Sequence, residues 1–180
     1  MKKLINKALA LLPEYLPATL LAFLAALFQT TLFPRVFDCP PDLILALVCA
    51  YSIRKSENAA VYFALLSSFL ADTTGSVGFS VMPFFYIALA LVFSGVGRST
   101  RSGRTFFSFL IFYIPALILR EGVTLLLTSI RFSFDLDIVY VLSTSVLKES
   151  VFGLILGPAA YLAATPFCLR KKEKGGVRNE

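Results

Sequence analysis

Long uncharged, apolar runs alternate with short charged segments along the chain. The runs are too continuous for the one-sided stripe of a soluble helix. Residues 15–34 are a run of 20 uncharged positions, enough for one helix to cross a bilayer at about 1.5 Å per residue. No A-x-A site stands at its far end, so a retained span is expected rather than a cleaved signal. Ahead of it, Lys2, Lys3 and Lys7 interleave with Leu4, Ile5 and the apolar 8–12 run. That pattern predicts a basic amphipathic segment lying on the membrane surface over residues 1–14. Within the span, Ala18, Ala22 and Ala26 recur every four residues and predict a small-residue face for close helix packing.

The next two runs, 43–53 and 59–71, hold only eleven and thirteen uncharged residues. Pro40, Pro41 and Asp42 make a helix start, with proline in the lead-in and a side-chain acceptor for orphan amides. Arg54 and Lys55 can snorkel and stretch these runs toward full spans, joined by a hairpin over 54–58. Residues 72–78, Asp-Thr-Thr-Gly-Ser-Val-Gly, read as a small polar turn. A fourth span follows at 79–97, a basic loop at 98–104, a fifth span at 105–130 and a loop at 131–137. The sixth covers 138–169, bent or ended near Pro158 and Pro166, and 170–180 is a basic tail. The expected fold is all-α and polytopic, with six transmembrane helices in one domain over 15–169.

Charge orients that domain. The N-terminal segment, the 54–58 hairpin, the 98–104 loop and the tail together carry thirteen basic residues. The opposite side carries only Arg35 and Arg131, with Asp38, Asp42, Asp72, Asp135 and Asp137. Both termini are therefore expected in the cytoplasm. The basic segments then contact membrane lipid headgroups, and no nucleic acid is an expected partner.

Four charges fall inside spans: Arg120 and Glu121 in the fifth, Lys148 and Glu149 in the sixth. Each would cost about 2.5–3.5 kcal/mol near the bilayer centre if unpaired. In an antiparallel hairpin Arg120 lies level with Glu149, and Glu121 with Lys148, because each pair is equidistant from the middle of the connecting loop. Sequence neighbours point about 100° apart on a helix, so Arg120 is poorly placed for Glu121, and the cross-helix pairs are expected. Such a centre could be a proton relay or ligand pocket, or a structural clasp and docking patch. A fifth span ending at Leu119 would instead put 120–149 on the outer surface.

Composition agrees with the pattern. The chain is 57% apolar and 16% charged, with mean hydropathy +0.79, where a soluble domain is about a quarter charged. This excludes a soluble enzyme, a disordered tail and a disulfide-stapled module. Cys39, Cys49 and Cys168 form no C-x-x-C pair and read as small apolar fillers. The absence of histidine removes the usual base of Ser–His intramembrane proteases and a usual ligand of membrane metalloproteases. Asp72 with Gly75 and Gly78 reads as a capped, permissive turn rather than a metal or catalytic centre. No catalytic residue, metal site or cofactor is expected. Phe84, Phe85, Phe106, Phe107, Phe109 and Phe112 read as lipid-facing or packing surface.

Two stretches resemble the bacterial rod shape-determining membrane protein family, MreD. One is Pro41-Asp42-Leu43-Ile44-Leu45-Ala46-Leu47, and the other Leu70-Ala71-Asp72-Thr73-Thr74-Gly75-Ser76-Val77-Gly78. In that family a Pro-Asp or Pro-Asn pair opens the second span, and a glycine pair follows an aspartate closing the third. Here Asp72 stands nearer to Gly75-x-x-Gly78 than is usual, and Ser67 and Ser68 stand where glycine is common.

The resemblance implies a non-enzymatic scaffold subunit of the cell-elongation machinery in the bacterial cytoplasmic membrane. It implies binding to an MreC-like single-span protein and, through it, work with the actin-like MreB filament, the RodA polymerase and a penicillin-binding transpeptidase. The implied fold is similar to the S-components of energy-coupling-factor vitamin transporters, which supplies the alternative of a vitamin-binding subunit. A lipoprotein signal peptidase fits less well, since the asparagine-glycine motifs around its two aspartates are absent. The positions expected to be sensitive are Pro41, Asp42, Asp72, Gly75 and Gly78, and the intramembrane Arg120, Glu121, Lys148 and Glu149.

Overall fold

The computed structural model describes residues 2–38, 40–74, 81–99, 106–131 and 146–165, and every regular element among them is a helix. Helix α1 (Lys2–Leu27) passes through one π-helical turn (Phe28–Leu32) into a short α2 (Phe33–Val36). Then come α3 (Leu43–Arg54), α4 (Glu57–Thr74), α5 (Met82–Ser99), α6 (Phe106–Arg131) and α7 (Leu147–Ala164). The π turn has a local cause. Pro34 withholds the N–H that a regular helix would direct at the Thr30 carbonyl, and the ladder widens by a residue there. The Thr30 and Thr31 hydroxyls donate back to the Ala26 and Leu27 carbonyls at 2.8 and 2.5 Å.

Helix α3 is the hub. Ile44 to Ile53 are all buried, and α3 packs against α1, α4, α5, α6 and α7. At 12 residues it is only about 18 Å long, and it starts within the bundle, at the buried Asp42. Its N-terminal amides must find polar partners in protein instead of water.

The rest of the bundle is inside-out relative to a soluble one. Leu16, Leu20 and Phe23 on α1, Phe84 and Val92 on α5, Phe107 and Ile118 on α6 and Ile155 and Leu162 on α7 face outward. Alanine, serine and tyrosine fill much of the interior. That distribution suits a lipid solvent, in which close backbone packing rather than apolar burial holds helices together. Three helices are long and apolar enough to cross a membrane: Tyr15–Val36, Phe106–Ile130 and Leu147–Ala164. Leu43–Arg54 and Met82–Val96 are shorter apolar helices.

Helix α1 packs on α4 and α3, with Ala18, Ala22 and Ala26 buried together with Ala25. Tyr15 meets Tyr62 edge-on at 5.0 Å, and the Thr19 hydroxyl lies 2.9 Å from that of Tyr62. Between α6 and α7 the register is antiparallel, and each step of four down one helix is matched by four up the other. Leu117 lies on Gly153, Tyr113 on Gly157 and Phe109 on Tyr161. A Cβ at Gly157 would fall 2.4 Å from the Tyr113 ring, so any side chain there forces the ring to move.

Several boundaries differ from expectation. Helix α1 runs unbroken through position 14, where a surface segment was expected to give way to a span. Helix α4 continues through Asp72 to Thr74 instead of turning at Asp72. Helix α7 passes through Pro158 and ends at Ala164, beside Pro166, where an end was expected. The α3–α4 hairpin is tight, with only Lys55 and Ser56 between the helices, and the Ser56 Oγ accepts from the Ala59 N–H at 3.3 Å. Gly75, Gly78, Cys39, Cys168, the 98–104 loop beyond Ser99 and the 170–180 tail lie outside the described residues.

Candidate functional site

The buried polar centre is built on Asp42. The side chain is 3% exposed and caps α3, one oxygen (Oδ1) accepting from the Leu45 N–H at 2.9 Å. Gln29, on the π turn of the first helix, accepts from the Leu43 N–H at 2.8 Å, so two of the orphan amides of α3 are met by side chains. The other oxygen, Oδ2, receives the Tyr86 hydroxyl from α5 and lies 3.3 Å from Arg120 Nε on α6.

Arg120 then extends the network to α7. Its NH1 is 2.8 Å from Glu121 Oε1 and 2.5 Å from Glu149 Oε1. Four helices (α3, α5, α6 and α7) are thereby tied to one carboxylate–guanidinium pair. Glu121 is buried, and its second oxygen, Oε2, has no hydrogen-bond partner among the described residues.

Three expectations about the charges need correction. Arg120 reaches Glu121 despite their being sequence neighbours, because a guanidinium on a long flexible stem can fold back over its own helix. The Glu121–Lys148 pair does not form: Lys148 is exposed. Consecutive residues of α7 cannot both face α6, and Glu149 takes the inward position. Asp42, which the loop-charge count assigns to the outer side, is instead a member of the buried centre. The network therefore sets three carboxylates around one guanidinium, not two acids against two bases. Among the described residues no group of histidine, cysteine and carboxylate side chains is arranged to hold a metal.

The opposite end of α3 has a different chemistry. Arg54 donates through Nε to the Tyr161 hydroxyl at 2.9 Å and also through a terminal nitrogen, and its guanidinium lies 4.9 Å from the Tyr161 ring centroid. Tyr161 stacks on Phe109 at 4.5 Å, and Phe109 stacks on Tyr113 at 5.1 Å. The Tyr113 hydroxyl donates to the Gly153 carbonyl at 2.8 Å, one turn from Glu149. A column of side chains along the α6–α7 seam thus joins the Arg54 end of α3 to the Asp42 end.

The remaining expected positions are scattered. Pro41 is buried beside Asp42, while Asp72 lies in the last turn of α4 and joins no ion pair to the network. Cys49 is a buried free thiol within α3. Of the six phenylalanines read as outward or packing surface, Phe84 and Phe107 are exposed and Phe109 is fully buried in the column. Tyr86, Tyr113, Tyr161 and the Arg54 contact had no counterpart in the sequence reading. A signal for the seam was present in Gly153-x-x-x-Gly157, a close-approach spacing. Comparison with protein-family models, with curated proteins and with solved structures found no match.

Proposed function

We propose that this chain is a non-enzymatic scaffold of six membrane spans, of the MreD kind, in the bacterial cytoplasmic membrane. One observation carries the reading: Asp42, in the stretch Pro41-Asp42-Leu43 that bears the resemblance, is where α3, α5 and α6 are fastened together. A residue spent in that way serves architecture. Its carboxylate is consumed by a helix cap, a tyrosine and an arginine, and none of it is left to attack or protonate a substrate. Helices α3, α4 and α5 complete the six spans in this reading, with the 12-residue α3 sheltered at the centre and the other helices around it facing lipid. An arrangement similar to transporter S-components would suit the same helices, used here to present an outer surface to a partner.

The partner in this reading is an MreC-like single-span protein, and the consequence is support of peptidoglycan synthesis along the cell's length. Coexpression with an MreC-like protein from the same genome, followed by detergent extraction and affinity capture, should recover a stable complex. Depletion in the native host should round the cells. A vitamin copurifying with the isolated chain, with no MreC-like protein retained, would favour the transporter alternative instead.

A further inference from the structure

The outward face of α7 carries Val151, Ile155 and Leu162, and in line with them Lys148. Lys148 lies nine residues before Gly157, which at about 100° per residue puts it on the opposite side of the helix from the buried seam. Lys148 is exposed, and it makes no ion pair with any described residue, while its neighbour Glu149 is engaged by Arg120. The level of that lysine follows from the same ion pair. From Arg120, α6 continues about ten residues to Ile130 within one apolar span, a rise of about 15 Å. A lysine stem is far shorter, so at that depth the ammonium cannot snorkel to water.

An exposed cation on an apolar membrane face, with no partner among the described residues, is one half of an intramembrane pair. We infer that α7 is the docking face for a partner membrane helix whose carboxylate side chain meets Lys148, with Val151, Ile155 and Leu162 as the apolar track beneath it. The inference rests on the scaffold reading, since it names the chemistry by which such a partner is recognised. An inorganic cation is not the occupant, because the accessible group is itself positive. The three acids of the centre are turned inward onto Arg120 and do not compete for the docking helix.

The test uses the full chain in phosphatidylcholine nanodiscs and two synthetic single-span polyleucine helices, one with a central Asp and one with Asn in its place. Energy transfer between labelled chain and helix should show the Asp helix binding on the order of tenfold tighter. Lys148→Gln should abolish that preference and Lys148→Arg should keep it. Equal binding of the two helices, or a preference that survives Lys148→Gln, overturns the inference. In a Lys148→Cys variant, labelling by a membrane-impermeant thiol reagent above that of the native chain also overturns it, since the position would then lie at the water interface. Capture of an MreC-like protein undiminished by Lys148→Gln, with no Asp preference, sinks this inference and leaves the scaffold reading standing. Failure of the native chain to capture an MreC-like protein, with its Asp preference intact, does the reverse.

Discussion

Helix α3 carries an acid at its N-cap and an arginine in its last turn, each complementing the helix dipole, yet the bundle answers the two ends differently. Asp42 is met by an opposite charge, and that charge draws in Glu121 and Glu149 from α6 and α7. Arg54 is met by a neutral tyrosine, which offers a hydroxyl as acceptor and a ring face as a partial negative surface. The first solution ties four helices through groups that cannot be left alone in an apolar interior. The second ties α3 to α7 through a group that remains harmless if the arginine leaves. Interdependence is therefore concentrated at the Asp42 end, and plain packing dominates at the Arg54 end.

The sharpest way to break this comparison is to remove each arginine. Arg120→Met leaves three carboxylates without their cation and should cost about 3–5 kcal/mol, the range for breaking a buried pair from one side. Arg54→Met removes hydrogen bonds and a ring contact but strands only a neutral hydroxyl, and should cost about 1–2 kcal/mol. Reversible unfolding in mixed micelles gives both values. Equal losses would mean that the acids at the Asp42 end are not stabilised by Arg120 at all. A Glu149→Gln background should soften the Arg120→Met loss, because fewer uncompensated charges remain.

Next in size is the seam that connects the two ends. Gly157→Ala places a methyl group 2.4 Å from the Tyr113 ring, which must move and loosen its stack on Phe109. The expected cost is about 1–3 kcal/mol, as for other overpacked cores. At Gly153 the nearest atoms, at 3.3 Å, are the ends of the Leu117 and Tyr113 side chains, so Gly153→Ala should cost less. If the order of the two substitutions is reversed, the close approach lies elsewhere along the helices.

How much of this the sequence carried varies by feature. Helix positions follow from apolar run length, and the start of α3 from Pro41 and Asp42, because each is a local effect of a few adjacent residues. The level of Arg120 with Glu149 was also legible, since in a pair of antiparallel neighbours each step along one helix is matched by one step back along the other. Facing was not. Whether Lys148 or Glu149 turns inward depends on the rotation of α7, and that is set by Gly153 and Gly157 receiving Leu117 and Tyr113. Asp42 misled the loop-charge count for a related reason. A 12-residue helix surrounded by longer ones begins below the surface of the bundle, and no local pattern reports how deep its neighbours reach. Tyr86 and Tyr161 were invisible because a tyrosine's partner is chosen by tertiary packing alone.

At the Arg54 end, Tyr161→Phe isolates what the hydroxyl does. The ring and its stack on Phe109 remain, along with the guanidinium above it, and only the acceptor for Arg54 is lost. The expected cost is about 1 kcal/mol, below Arg54→Met, and a larger loss would move weight from the ring to the hydrogen bond.

The smallest effect belongs to a contact outside both ends and serves as their baseline. Tyr62 touches α1 through a hydroxyl–hydroxyl bond to Thr19 and an edge-on contact with Tyr15. Tyr62→Phe keeps the ring contact and deletes the bond. Thr19 also donates to the Tyr15 carbonyl at 2.9 Å, so its hydroxyl is not stranded by the change. Interhelical hydrogen bonds in membrane proteins average about 0.6 kcal/mol, and the Tyr62→Phe loss should fall at or below that figure. If it instead matched Tyr161→Phe, the guanidinium at Arg54 would be adding nothing to an ordinary hydroxyl contact. The distinction between a charge-bearing end and a merely packed helix pair would then hold only where Asp42, Arg120 and Glu149 meet.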